Sequence, residues 1–177
     1  VVNSYDLPSG ASTPFLAVDV YRLEQNIERV HDRLTTLGLR MRPHIKTHKC
    51  AEIGRRQVAA GVTGLTVATI DEAEVVATYC DDIFIAYCLW PDEGQAERLA
   101  ALSRRVRLTV GTDSTEAVRR LAELRLTGIE LGVEIDVGHG RSGCTPAESG
   151  RLAQEAESLG LRVTRCFAFP GHGYAQG

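Results

Sequence analysis

Apolar segments typical of strands alternate with segments of helical periodicity along almost the whole chain, and this alternation constrains the fold more than any other feature. An opening strand is predicted at residues 14–19, and the further predicted strands lie at 39–46, 65–69, 83–89, 106–110, 129–137 and 162–169. The predicted helices lie at 21–37, 50–60, 71–79, 92–103, 114–125 and 146–159. Strict alternation of strand and helix predicts a parallel sheet whose strands are joined by helical crossovers.

The starts of three predicted helices carry residues that favour helix N-termini. These candidates are Asp71, Thr112 with Asp113, and Thr145 with Pro146. A doubly wound sheet and a barrel both agree with the alternation, but the strands after the opening one begin about 20 to 30 residues apart, which suits a barrel. We therefore predict an α/β fold, a partial (β/α)8 TIM-type barrel with about six of eight units present and a truncated C-terminus.

The charge distribution argues against two classes of partner. The formal net charge is −3, and 18 arginines are scattered among 23 acidic residues rather than gathered on one stripe. Neither a nucleic-acid surface nor an anionic-membrane surface is therefore expected. No apolar run is long enough to span a bilayer and the first residues are too polar for a signal peptide, which predicts a cytoplasmic protein.

The cysteine pattern argues against a disulfide framework and against a structural zinc site. The cysteines are odd in number, widely spaced and without a C-x-x-C pair. They are Cys50, Cys80, Cys88, Cys144 and Cys166. We expect buried or inert thiols.

The two lysines of the chain, Lys46 and Lys49, stand three residues apart in a sequence that otherwise uses arginine for every cation. This placement indicates a need for a primary amine, because a guanidinium cannot form an imine. Arg42, His44 and Lys46 share one face of the predicted strand, and Lys46 lies at its C-terminal end, where barrel enzymes keep catalytic groups. The alternative is a basic, solvated strand end. Metal binding by His44 and His48 is less favoured than hydrogen bonding, since no glutamate and no helix accompany them.

Two carboxylates in the predicted strand 129–137 alternate with β-branched residues, so Glu134 and Asp136 share a face. In a barrel the apolar face packs on helices, which turns these acids inward. Buried carboxylates need partners. Arg42, Lys46 and Arg141 are the available cations, so we predict charges paired across strands inside the barrel.

The segment from Gly138 to Gly143 matches G-x-G-x-x-G after a strand and before a helix. A dinucleotide site is one interpretation, but bulky His139 and Arg141 stand between the glycines and no acid ends the next strand. The other interpretation is a tight turn that lets Arg141 reach a phenolate or carboxylate over the barrel mouth. Aromatic groups follow the last strand, where Phe169 could stack on a planar cofactor or belong to the core.

Five motifs taken together resemble the D-threonine aldolase and D-serine dehydratase family, whose members are pyridoxal 5′-phosphate (PLP) enzymes of fold type III with an alanine racemase-like barrel. The motifs are Thr13-Pro14-Phe15-Leu16 with Asn26, and the segments Arg42 to Lys49, Ala68 to Glu74, Glu134 to Gly143 and Pro170 to Tyr174. They cover essentially the whole chain, in the family's own order.

The resemblance implies that Lys46 forms the Schiff base with PLP and that Arg141 contacts the phenolic oxygen of the cofactor. The other residues of the implied cofactor-binding set are His44, Thr69, Phe169, His172 and Tyr174. The family tends to carry His or Tyr at position 169, so Phe169 can stack on the pyridine ring but cannot hydrogen-bond to it. No metal ligand is assigned to this chain, because the divalent-metal ligands and the phosphate cradle of the family lie in later segments.

The implied function is that of a PLP-dependent lyase acting on D-3-hydroxy amino acids, with retro-aldol cleavage to glycine and an aldehyde. Alternatives are a dehydratase of D-serine or D-3-hydroxyaspartate, an amino-acid racemase, and a non-catalytic PLP-binding protein. The implied partners are a small D-amino acid and, at full length, a second copy of the chain. Residues 1–20 would associate with a C-terminal β domain, and residues 21–177 would form an incomplete PLP-binding barrel.

Overall fold

Five parallel strands alternate with α-helices in the described part of the chain. The structure, a computed structural model, describes residues 10, 12, 14–126 and 128–174. In chain order its elements are α1 (Val20–Thr36), a 3-10 turn (Ile45–Thr47), α2 (Ala51–Ala59), β1 (Leu65–Val67), α3 (Ile70–Val76), β2 (Asp82–Cys88), α4 (Glu93–Ser103), β3 (Arg107–Thr112), α5 (Thr115–Glu123), β4 (Glu130–Glu134), α6 (Pro146–Ser158), β5 (Arg162–Phe167) and a second 3-10 turn (Gly171–Tyr174).

The order of the strands distinguishes a barrel wall from a doubly wound sheet. The order is β1-β2-β3-β4-β5, and every neighbouring pair is parallel. A doubly wound sheet reverses its progress across the sheet, whereas a β/α barrel adds each strand beside the previous one. The predicted α/β fold is confirmed as a parallel sheet that resembles part of a TIM barrel.

The segment 39–46 is not a strand, contrary to the prediction. Its strand-like contact is an isolated parallel bridge between His44 and Thr66, and a 3-10 turn begins at Ile45. Pro43 lacks the N–H group that a continuous ladder needs, and its carbonyl oxygen accepts a hydrogen bond from Thr66 N at 2.8 Å. Lys46 therefore lies in a turn that follows a bridge, at the carboxyl edge of the sheet.

The opening strand predicted at residues 14–19 is also absent from the structure. The apolar side chains there are exposed, with Leu16 at 97% and Val18 at 56% of their full accessibility. A strand needs a neighbour to complete its hydrogen bonds, and no element of the described residues pairs with this segment. The rest of the expected N-terminal unit, residues 1–9, 11 and 13, lies outside the described residues.

Two predicted helix caps are wrong by one or two residues. Helix α3 is capped by Thr69, whose side chain accepts a hydrogen bond from an amide of the first turn, so Asp71 lies inside the helix. Helix α5 is capped in the same way by Ser114. Thr112 belongs to β3, and Asp113 uses its carboxylate elsewhere, on the loop after β4.

Helix α6 begins at Pro146, as predicted. Thr145 donates to the Glu148 carboxylate from its amide at 3.0 Å and from its hydroxyl at 2.6 Å, which stabilises the first turn.

None of the helices in the described part of the chain combines the length and the apolar character that a membrane crossing requires.

Strand β4 separates an apolar face from an acidic one. Leu131 and Val133 are fully buried in the apolar core that the sheet forms with the helices. Glu130 and Glu134 lie on the opposite face, because side chains alternate along a strand, and they are also buried, at 9% and 4% accessibility. The prediction that Glu134 points inward is confirmed.

Glu130 is held by cations at the amino edge of the sheet. Its carboxylate pairs with Arg107 and Arg162, each at 3.2 Å, and with Arg165 at 3.8 Å. Thr164 donates a hydrogen bond to it at 3.1 Å. Burial opposes ionisation of Glu130, but the hydrogen bonds and these positive charges hold the pKa of the carboxyl below its ordinary value of 4.5.

This depressed pKa predicts a loss of stability in acid. Because the folded state binds the Glu130 proton more weakly than the unfolded chain, its contribution is present above about pH 4.5 and is lost as the pH falls through the lowered value. We expect Glu130→Gln to lower the free energy of unfolding by about 1–3 kcal/mol at pH 7. Urea titrations should show the difference from the unmodified chain shrinking towards pH 3. A difference that is independent of pH would contradict the assignment.

Candidate active site

Three side chains predicted from the sequence meet at the carboxyl edge of the sheet. Phe169 follows β5, Arg141 lies in the loop after β4, and Lys46 lies in the turn before α2. The Arg141 guanidinium carbon is 4.5 Å from the centroid of the Phe169 ring, and Lys46 Nζ is 5.8 Å from the same centroid. Both distances are in the range of cation–π contact. The structure thus brings an exposed primary amine and a guanidinium to one aromatic ring.

His139 adds a further side chain to this ring. Its imidazole meets Phe169 edge to face, with ring centroids 5.4 Å apart. The contact requires a glycine at position 171, because a Cβ there would lie 2.7 Å from both His139 Cε1 and Phe169 Cε1. The loop after β4 and the turn after β5 are therefore packed directly on each other.

A buried side chain and a hydrogen bond hold the turn that carries Lys46. Ile45 is buried, and the imidazole of His44 accepts a hydrogen bond from Lys46 N at 3.3 Å. Burial and the positive charge of Lys46 lower the pKa of His44, although Glu72 opposes this. His44 is therefore a neutral acceptor in this turn. It orients the backbone of Lys46.

The second lysine serves a different purpose. Lys49 Nζ forms an ion pair at 2.9 Å with Glu72, whose other oxygen accepts a hydrogen bond from Ala68 N at 2.7 Å. This arrangement joins the segment before α2 to the start of α3. Of the two lysines, Lys46 is the one that faces the aromatic ring.

The glycine loop after β4 is organised by a carboxylate. Asp136 Oδ1 accepts hydrogen bonds from Gly138 N at 2.9 Å and Gly140 N at 3.1 Å, and these bonds lower the pKa of Asp136. Gly143 N donates to Asp113 at 3.2 Å. In a dinucleotide site such amides would face a pyrophosphate. Here they are bonded to acidic side chains of the chain itself, which disfavours the dinucleotide interpretation.

The predicted pairing of inward acids with cations is correct for Glu134 with Arg141 and wrong for Arg42, Lys46 and Asp136. Lys46 faces the Phe169 ring instead. Arg141 Nη2 lies 3.8 Å from Glu134 Oε1. Arg42 instead pairs with Asp82 at 2.9 Å, at the amino edge of the sheet, because the bend at the 3-10 turn separates it from Lys46. Asp136 lies beyond the end of β4 and binds loop amides rather than a cation.

The other residues predicted to bind the cofactor, Thr69, His172 and Tyr174, have no contact with Lys46 or Arg141 among those described above. Thr69 uses its side chain to cap α3. His172 is exposed in the turn after β5, with Cε1 3.9 Å from the position of a Cβ on Gly138. The backbone of Tyr174 belongs to that turn, and its side chain lies outside the described part of the structure.

Sequence reasoning missed three residues that surround Glu134. The thiol of Cys88 donates to Glu134 Oε2 at 3.2 Å, and the hydroxyl of Ser142 donates to Oε1 at 3.0 Å. Ligand atoms of Cys88, Asp113 and Glu134 lie within 4.8 Å of one another. Cys88 and Asp113 lie at or just after the ends of β2 and β3. This position was the available signal, since the carboxyl ends of parallel strands meet at one edge of the sheet. All five cysteines are free thiols.

Comparison with known proteins identifies relatives of the whole described fold. The sequence profile of the family described as "Alanine racemase, N-terminal domain" matches residues 18–175. The chain is 33% identical to D-threo-3-hydroxyaspartate dehydratase of Delftia sp. (strain HT23) over 170 residues, which cover 92% of this chain and 44% of that protein. It is 31% identical to D-threonine aldolase of Arthrobacter sp. over 152 residues, covering 83% of this chain and 40% of that protein.

A solved structure shows the same similarity. The crystal structure of D-threonine aldolase from Filomicrobium marinum superposes with a TM-score of 0.82 and 31% identity, over 88% of this chain and 43% of that one. The chain therefore spans less than half the length of these enzymes.

Proposed function

Because the chain belongs to the alanine racemase N-terminal domain family, we propose that it is the cofactor-binding part of a PLP-dependent lyase acting on D-3-hydroxy amino acids. The observation that carries this proposal is the convergence of Lys46 and Arg141 on the Phe169 ring. The similarity to D-threonine aldolase and to D-threo-3-hydroxyaspartate dehydratase supports the lyase class. We take D-threonine aldolase type cleavage as the principal activity.

The residues at this edge fit PLP by their chemistry. A primary amine can hold the aldehyde carbon of the cofactor, a guanidinium can hold its phenolic oxygen, and an aromatic ring can stack on its pyridine. The amides of Gly138 and Gly140 are bonded to Asp136 and do not face a phosphate. We therefore assign the phosphate cradle to further barrel units, together with a divalent metal site in a C-terminal domain.

When bound, PLP supplies an electron sink for the carbanion that forms at the substrate Cα. Lys46 would hold the cofactor through its primary amine, and the same amine would be available to accept or return a proton at the substrate Cα. Arg141 stabilises negative charge on the phenolic oxygen. Phe169 would cover one face of the cofactor with an apolar ring, and its side chain cannot exchange a proton.

Dehydration is the second candidate reaction, favoured by the 33% identity to a dehydratase over 92% of the chain. In either case we propose that residues 21–177 are an incomplete PLP-binding barrel and that residues 1–20 associate with a C-terminal β domain. A cytoplasmic homodimer is the proposed assembly at full length.

Product analysis tests the proposed function. The full product of the gene, supplied with PLP and Mn²⁺, is incubated with D-threonine, D-serine or D-threo-3-hydroxyaspartate, and the L-enantiomers are the controls. We expect glycine and acetaldehyde from D-threonine, and none from L-threonine. Ammonia and a keto acid would instead establish the dehydratase. Turnover of none of the D-3-hydroxy amino acids would contradict a lyase of this class.

A further inference from the structure

We propose that Glu134 is a positioning residue, the buried carboxylate that aims the Arg141 guanidinium at the ring of Phe169. The proposal rests on the proposed function, because it concerns a guanidinium that is assigned to the cofactor. It adds a residue that would act through Arg141.

Glu134 is enclosed and each of its oxygens has partners. Its side chain is 5% exposed. Oε2 accepts the thiol of Cys88 at 3.2 Å, while Oε1 accepts the hydroxyl of Ser142 at 3.0 Å and faces Arg141 Nη2 at 3.8 Å. A buried carboxylate without such partners would be costly. The arrangement therefore leaves one carboxylate oxygen directed towards Arg141.

Glu134 and the Phe169 ring are the contacts that set the direction of the Arg141 side chain. Asp136 and Asp113 bind the backbone amides of the loop, so they place the Arg141 backbone without contacting its guanidinium. The Arg141 side chain is 53% exposed, and among the described residues Glu134 is the carboxylate that pairs with it. An exposed arginine has several rotamers of similar energy. The ion pair and the Phe169 ring together select one.

Cys88 does not compete with Arg141 for Glu134. Burial raises the pKa of the Cys88 thiol, and the hydrogen bond to Glu134 raises it further. The thiol is therefore a neutral donor at physiological pH. Cys88 satisfies Oε2 without adding a positive charge that would compete with Arg141.

The test is a double-mutant cycle between Glu134→Gln and Arg141→Ala, read as the affinity of the chain for PLP by fluorescence quenching. We expect each single change to weaken binding roughly ten-fold, and Glu134→Gln to cause no further loss in the Arg141→Ala background. Glu130→Gln is the matched control, because Glu130 is a buried, arginine-paired carboxylate on the same face of β4 at its other end. It should lower stability without changing the affinity.

A second readout needs no cofactor. Phenylglyoxal modifies accessible guanidinium groups, and peptide mapping gives the rate at Arg141. We expect Glu134→Gln to raise this rate several-fold and Glu130→Gln to leave it unchanged. An additive loss of PLP affinity, or an unchanged rate at Arg141, would overturn the positioning role. If the unmodified chain does not bind PLP, the phenylglyoxal rates alone decide the role of Glu134, and the product analysis decides the proposed function.

Discussion

Replacement of Lys46 by arginine is expected to abolish covalent attachment of PLP and to reduce lyase turnover by roughly three orders of magnitude or more. The guanidinium keeps a positive charge near the Phe169 ring, so the local electrostatics change little. It cannot lose its proton at accessible pH and cannot form an imine. The absorbance of the cofactor after gel filtration and the rate of product formation measure the two effects.

Lys49→Arg is the matched control for this prediction. Lys49 stands three residues away, and its side chain, which is 66% exposed, forms an ion pair with Glu72 at 2.9 Å. An arginine can form the same ion pair. We expect cofactor attachment and turnover close to those of the unmodified chain. Equal losses in both variants, or retained attachment in Lys46→Arg, would show that the amine of Lys46 is not the attachment point.

Gly143→Ala is expected to lower the free energy of unfolding by about 2–4 kcal/mol and to displace the loop that carries Arg141. Gly143 has φ of +105°, and a Cβ there would lie 2.5 Å from Asp136 N and 2.8 Å from the carbonyl carbon of Ile135. Both atoms are backbone, so neither can move aside cheaply. Urea denaturation and PLP affinity should both report the change.

Gly140→Ala, in the same loop, separates the effect of backbone strain at a positive φ from the effect of a steric clash with the added Cβ. Gly140 also has a positive φ of +69°, but a Cβ there meets no atom within 4 Å. We expect a loss of about 1–2 kcal/mol, from the left-handed backbone alone. Equal losses at the two glycines would mean that the close approach of Gly143 to the end of β4 does not hold the loop in place.

The alternation of strands and helices could be predicted because it depends on local hydrophobic periodicity, which each segment carries in its own residues. The error at 39–46 arose because a strand is defined by its hydrogen bonds to a neighbour. Apolar alternation there resembled a strand, but Pro43 has no N–H and the chain turns at Ile45. The misplacement of Arg42 followed from that error, since the inferred shared face with Lys46 assumed an extended backbone.

The candidate site was partly predictable for a different reason. Lys46 and Arg141 stood out because their residue types have chemistry that few others can supply, and Phe169 because of its place after a strand. Cys88 and Ser142 carry no such signal in isolation. Their roles depend on the sheet bringing the ends of β2 and β4 together around Glu134, which is a property of the packed structure.

Reduction of the linkage between PLP and the protein shows directly whether Lys46 is the amine that holds the cofactor. The unmodified chain is incubated with PLP, reduced with borohydride and digested, and the pyridoxyl group is located by mass spectrometry. Lys46, Lys49 and the N-terminal amine are the groups that can react. We expect saturable labelling confined to Lys46. Labelling divided among the three amines, or saturable labelling at Lys49, would contradict this expectation.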